Sequence, residues 1–136
     1  MVRIVTFADG FSSASVPSGA SAQQENFTIA NNTTSGAILT LDKNTEKSAF
    51  FSFELRRSDS LGSFSQLGVM QAVYNSSWSL SFGNFSGDDL VQDTITSPEH
   101  VKFSINATTG AITYDSGNMT GTGYSGTFKA YISRIL

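Results

Sequence analysis

The chain has 136 residues, a formal net charge of -3 and no cysteine. That length closes one hydrophobic core, so a single domain over 1–136 is expected. The acidic balance, with its few Lys and Arg scattered, argues against a nucleic-acid partner held by phosphate contacts, and the missing thiols exclude disulfides, thiolate nucleophiles and cysteine-based zinc sites.

Charged residues make up 14% of the chain. That is low against about 25% in typical domains, and Ser and Thr fill the polar space instead. No apolar run approaches the roughly 18 residues of a membrane span, so no membrane insertion is expected. The start of the chain turns polar too soon for the apolar region of a signal peptide.

In chain order, Val2–Phe7 is a β-branched run that reads as a first strand and stops at Asp9-Gly10. Residues 12–24 are small and polar, with one Pro and one Gly; they read as a long surface loop or as an arm reaching a neighbouring subunit. Asn26–Ala30 and Gly36–Leu41 read as strands joined by the turn-rich residues 31–35. Lys47–Arg57 alternates strongly: Ala49, Phe51, Phe53 and Leu55 fall on one face, Ser52, Glu54 and Arg56 on the other. Phe50 is the exception. Phe64–Tyr74 is apolar on both faces, as a central strand or one buried by a partner would be.

Trp78, Leu80 and Phe82 share one face of the next strand, opposite Ser77, Ser79 and Ser81. Gly83-Asn84 and Ser86-Gly87-Asp88-Asp89 carry turn residues, and 83–100 reads as the longest irregular segment. Val101, Phe103 and Ile105 resume the alternation. A hairpin through Asn106–Gly110 returns along Ile112 and Tyr114, and Phe128, Ala130 and Ile132 build a last strand running almost to Leu136. These are about nine strands with no helical periodicity. The expected fold is all-β: an antiparallel β-sandwich of jelly-roll or Greek-key type.

No catalytic constellation stands out. Gly87-Asp88-Asp89 reads as a turn with Asp caps, and Asp88, Asp89, Asp93 and Glu99 match no EF-hand spacing for calcium. His100 is the only histidine, sits beside Pro98 at a strand entrance and has no Gly-x-Ser-x-Gly elbow to serve. The expectation is therefore a non-enzyme without metal or cofactor. Asn26, Asn31, Asn32, Asn75, Asn84, Asn106 and Asn118 fit the glycosylation acceptor pattern and read as turn residues.

Of the aromatics that could stack on a sugar (Tyr74, Trp78, Phe85, Tyr114, Tyr124 and Tyr131), Trp78 and Tyr114 read as core. Phe85 and Tyr124, in glycine-bearing loops, are the candidates for contact with a ligand or partner. A carbohydrate-binding module is the alternative that these rings offer.

The second half carries a family likeness. It runs from Trp78-Ser-Leu-Ser-Phe-Gly-Asn-Phe-Ser-Gly-Asp-Asp, through the Thr109-Gly110 hairpin, Tyr114 and the Ser116-Gly-Asn118 turn, to the terminal Gly126-Thr-Phe-Lys-Ala-Tyr-Ile-Ser-Arg-Ile-Leu. This succession resembles the C-terminal regions of small surface virion proteins of tailed bacteriophages, of tail-fibre or capsid-decoration type. The resemblance implies a non-enzymatic structural protein, made in the host cytoplasm and displayed on the virion surface. It implies a homo-oligomer, commonly a trimer, in contact with other virion proteins and serving host attachment, with a host surface glycan as the matching receptor class. No shaft of repeats precedes the domain, which brings in a capsid decoration or cement protein as the second role.

Overall fold

The computed structural model describes residues 20–136. The strand expected over Val2–Phe7, and residues 12–19 of the expected loop or arm, lie outside the described residues. Eight strands follow: β1 (Ala20–Thr28), β2 (Gly36–Thr40), β3 (Ser48–Asp59), β4 (Gly62–Tyr74), β5 (Trp78–Gly87), β6 (Val101–Ile105), β7 (Ala111–Ser116) and β8 (Ser125–Ile135). No helix occurs among the described residues.

The strands form two antiparallel sheets. The larger has the order β1-β8-β3-β4-β5 and the smaller β2-β7-β6. The chain crosses from one sheet to the other four times, at β1–β2, β2–β3, β5–β6 and β7–β8. The remaining connections are local turns.

Both sheets contribute to one core because their strands alternate in register. Ala49, Phe51, Phe53 and Leu55 from β3 and Phe128, Ala130 and Ile132 from β8 are buried against Val101, Phe103, Ile112 and Tyr114 of the smaller sheet. Phe103 and Phe128 meet across the sheets with ring centroids 4.9 Å apart. Each such buried Phe, Leu or Ile contributes about 1.5–3 kcal/mol through removal from water. Gly68, on the core side of β4, has no side chain because the Phe53 ring fills that space; a Cβ there would lie 2.6 Å from it.

Two boundaries and the places of two asparagines differ from the sequence reading. Residues 20–24 belong to β1, paired along β8, and not to a loop; their small and polar side chains hide a strand that the backbone ladder holds. β5 continues through Gly83-Asn84 to Gly87, so the irregular segment starts only at Asp88. Asn26 and Asn84 stand in strands, while Asn31, Asn32, Asn75, Asn106 and Asn118 lie between strands. β4 is interior to its sheet, flanked by β3 and β5; its core face carries Gln66, Gly68, Met70 and Ala72, and its outer face, with Leu67, Val69 and Val73, is only partly buried.

Candidate functional site

The Trp78 strand divides into a buried start and an exposed end. Trp78 is buried and packs edge-on to Tyr74, with centroids 5.4 Å apart, and its backbone N–H donates to Ala107 O at 2.9 Å. Among the described residues the strand lies at the edge of the larger sheet. Its ladder with β4 slips between Leu67 and Gly68: Leu67 faces Ser86 and Gly68 faces Asn84, which leaves Phe85 as the extra residue of a β-bulge. A bulge re-aims the side chain it carries. Phe85 is 59% exposed, and Phe82 is 36% exposed beside it. Phe85 therefore projects from a bulged strand and not from a loop.

The acidic residues after β5 hold the chain in place. Gly87 takes a positive φ of 90°, where a side chain would be strained and where a Cβ would lie 2.4 Å from Ser65 O. Asp88 then bonds the backbone of Ser65 twice: its N–H donates to the carbonyl at 2.7 Å, and its carboxylate accepts the Ser65 N–H at 2.9 Å. Further on, the Gln66 side-chain oxygen accepts both the Leu90 and Val91 N–H groups, at 3.0 and 2.9 Å. Among the described residues, no three His, Asp or Glu side chains converge as metal ligands. Asp88, Asp89, Asp93 and Glu99 are not brought together.

His100 serves its own turn. Its Nδ1 accepts the Thr96 N–H at 3.2 Å, and its backbone N–H donates to Ser97 O at 3.1 Å. Glu99 accepts from the Ser97 hydroxyl at 2.6 Å, a bond that holds its carboxyl below the usual range, with His100 and Arg57 adding to the effect.

The residue that organises this end of the molecule is Arg57. Its whole side chain is buried, with 0% exposure, and no carboxylate forms an ion pair with it among the described residues. All five guanidinium N–H donors are used. Nε donates to the Tyr124 hydroxyl at 3.0 Å. One terminal nitrogen donates to Pro98 O and His100 O, at 2.9 and 3.2 Å, and the other to Asn31 Oδ1 and Gly117 O, at 3.0 and 2.9 Å. One cation thereby joins β3 to three separate connections. The Tyr124 ring lies 5.2 Å from the guanidinium carbon.

Tyr124 is accordingly half-buried and turned inward. Its hydroxyl donates to Ile29 O at 2.7 Å while accepting from Arg57. Burial pushes that hydroxyl above its ordinary titration range, against a smaller opposing pull from Arg57. The sequence reading grouped Tyr124 with Phe85, but only Phe85 faces outward. Trp78 and Tyr114 are core, as their alternation predicts.

Arg57 was legible but passed over. The face of Ala49, Phe51, Phe53 and Leu55 continues by twos to position 57, which marks a cation on the buried face. Comparison with protein-family models, curated proteins and solved structures finds no match.

An open groove of about 570 Å³ lies on the outer face of the larger sheet, lined by Gln24, Ser52, Glu54, Leu67, Lys129 and Tyr131 among others. A smaller cleft of about 150 Å³ lies between the β3–β4 turn and the Pro98 and Met119 loops. Asp59 stands there with its carboxylate accepting the N–H groups of Leu61, Gly62 and Gly121, at 2.8, 3.1 and 2.7 Å. Those bonds, led by Leu61, hold its carboxyl below the usual range.

Proposed function

We propose that this chain is a non-enzymatic structural module of a bacteriophage virion surface that works as a homo-oligomer, with β5 as its assembly edge. The observation that carries the assembly part is the edge strand itself. From Asn75 to Gly87 it contains neither a charged residue nor a proline, and it ends in exposed Phe82 and Phe85. Edge strands that stay apart from other chains are blunted by Lys, Pro or charge; an uncharged edge of ten residues is a template for another chain. The resemblance of 78–136 to surface virion proteins supplies the location, and it favours a trimer. A closed three-fold ring needs a heterologous contact, so β5 meets a different surface on its neighbour.

The finer fold reading goes with this proposal. In a jelly roll the strand pairs β1–β8, β2–β7, β3–β6 and β4–β5 nest within one another. Here β1–β8, β2–β7 and β4–β5 pair in that way, while β3 pairs with β4 and β6 with β7. We read the domain as a jelly-roll-related sandwich in which the third nested pair is replaced by local hairpins.

Mass photometry at micromolar concentration tests the assembly, with a trimer expected. A stable monomer would sink it. Adding charge to the edge, as in Phe85→Lys combined with Ser81→Lys, should release monomers that remain folded; an unchanged oligomer would show that the contact lies elsewhere. Antibody-labelled electron microscopy of phage particles from the source tests the location, and labelling confined to free protein would remove the virion assignment. A glycan array run on the assembled protein tests host attachment.

A further inference from the structure

We infer that the cleft between the β2–β3 connection and the β6–β7 hairpin is a binding site for a neutral sugar. It gives a place to the host-attachment part of the proposed function, and rests on that reading only for the source of the ligand. The cleft, of about 320 Å³, opens beside the buried start of β5 and is lined by Asp42, Lys43, Asn44, Trp78, Thr108 and Thr109 among others. Trp78 is the residue that points to a ligand. It is 3% exposed, yet its indole N–H has no acceptor among the described residues. The Gln66 side-chain nitrogen is the only fully enclosed side-chain nitrogen or oxygen without a partner among them, so the indole N–H is open to the cleft that Trp78 lines. A concave wall with a few placed polar groups is how small-molecule sites fix the orientation of a ligand.

Both loops present their side chains from backbones that are already held. Asp42 Oδ1 accepts the Asn44 N–H at 2.9 Å, and Asn106 Oδ1 accepts those of Thr108 and Thr109, each at 2.9 Å. The Leu41 N–H donates to Gly110 O at 3.0 Å and ties one loop to the other. Gly110 has a positive φ of 77° and lets the indole edge come close: a Cβ there would lie 2.8 Å from Trp78 Nε1. Thr109 Oγ1 accepts the Ala111 N–H at 3.3 Å, which leaves its own proton to donate. The class of ligand follows from the mixture of groups. Asp42 opposes an anion, whereas Lys43 and the indole donor oppose a cation. The hydroxyls of a neutral pyranose both donate and accept, so they match the carboxylate, the amide, the threonine hydroxyls and the indole donor together. Stacking has no part in it, because the Trp78 ring is buried and Lys43 Nζ stands over the Tyr74 ring, 5.4 Å from its centre. Trp78 and Phe85 are about 23 Å apart along β5, so this site is separate from the exposed end of the strand.

Trp78 is the only tryptophan, so its indole N–H gives one assignable signal in a proton–nitrogen NMR spectrum of the full chain. Glucose, galactose, mannose and N-acetylglucosamine would each be titrated against that signal. At least one is expected to shift it saturably. Thr108→Lys places a long side chain across the cleft from an exposed turn position and should weaken that binding at least tenfold with the rest of the spectrum unchanged. Trp78→Phe, which keeps a buried ring and removes the donor, should weaken it as well, read by calorimetry. An indole signal that none of the four sugars moves would overturn the inference, and so would wild-type affinity in Thr108→Lys. A glycan array run with both the wild type and Thr108→Lys separates this site from the host-attachment reading. Array binding that Thr108→Lys leaves intact removes the cleft and keeps attachment; an empty array beside a saturable indole shift removes attachment and keeps the cleft.

Discussion

Arg57 and Phe85 exchange the places that their chemistry would give them. The arginine is fully buried and the phenylalanine is more than half exposed. At Arg57, the cost of burying a charge is offset by five well-placed acceptors, all of them in connections between strands. At Phe85, a slip in the ladder sets the ring outside a core that closes without it. The first arrangement fixes the loops at one end of the molecule. The second sets an aromatic ring on the outside of an edge strand, so exposure at one place and polarity at the other carry more information than composition does.

Removing the cation should break this comparison most severely. Arg57→Leu leaves buried acceptors in three connections unpaired and is expected to lower stability by about 3–5 kcal/mol, read by urea unfolding. Arg57→Lys, with three donors in place of five, should recover only part of the loss. A wild-type midpoint for the leucine variant would show that the network contributes nothing.

Gln66 is the next test. It is buried, its oxygen serves the Leu90 and Val91 amides, and its side-chain nitrogen has no partner among the described residues. Gln66→Leu should cost about 2–3 kcal/mol, because two amides lose their acceptor while an unsatisfied donor is removed. Tyr124→Phe keeps the ring over the guanidinium and deletes only the hydroxyl. It should cost about 1–2 kcal/mol and leave the oligomer intact, separating Tyr124 from Phe85 in function.

Acid provides a milder probe of the same end of the molecule. The Asp59 and Glu99 carboxyls sit below their ordinary range when folded, so each stabilises the fold fully above its unfolded pKa, about 4. That contribution is lost as pH falls through the lower folded values. Unfolding followed from pH 5 to pH 2 should therefore show a loss that Asp59→Asn makes shallower. An unchanged slope would mean that Asp59 does not contribute to it. The smallest effect on stability belongs to Phe85→Ser, within about 0.5 kcal/mol for the isolated fold. The same change should weaken self-association at least tenfold, measured by sedimentation.

Local alternation in the sequence determined a good deal. Ala49, Phe51, Phe53 and Leu55 marked β3, and Trp78 marked the buried start of β5. Val101 with Phe103 and Ile112 with Tyr114 marked the two strands around the Asn106–Gly110 hairpin. These follow from a period of two and from turn residues, which act over a few positions. The extension of β1 through residues 20–24 was not legible, since Ala, Ser and Gln become a strand only when β8 supplies the ladder. The bulge at Phe85 is decided by a mismatch against β4, a strand of its own, and the contacts of Arg57 come from positions 26 to 67 residues away. The sequence by itself determined which side chains want a core and where the chain turns. Only the tertiary structure decided which strand became an edge, which charge went inside and which ring stayed out, because register and long-range hydrogen bonds belong to pairs of segments and not to either one alone.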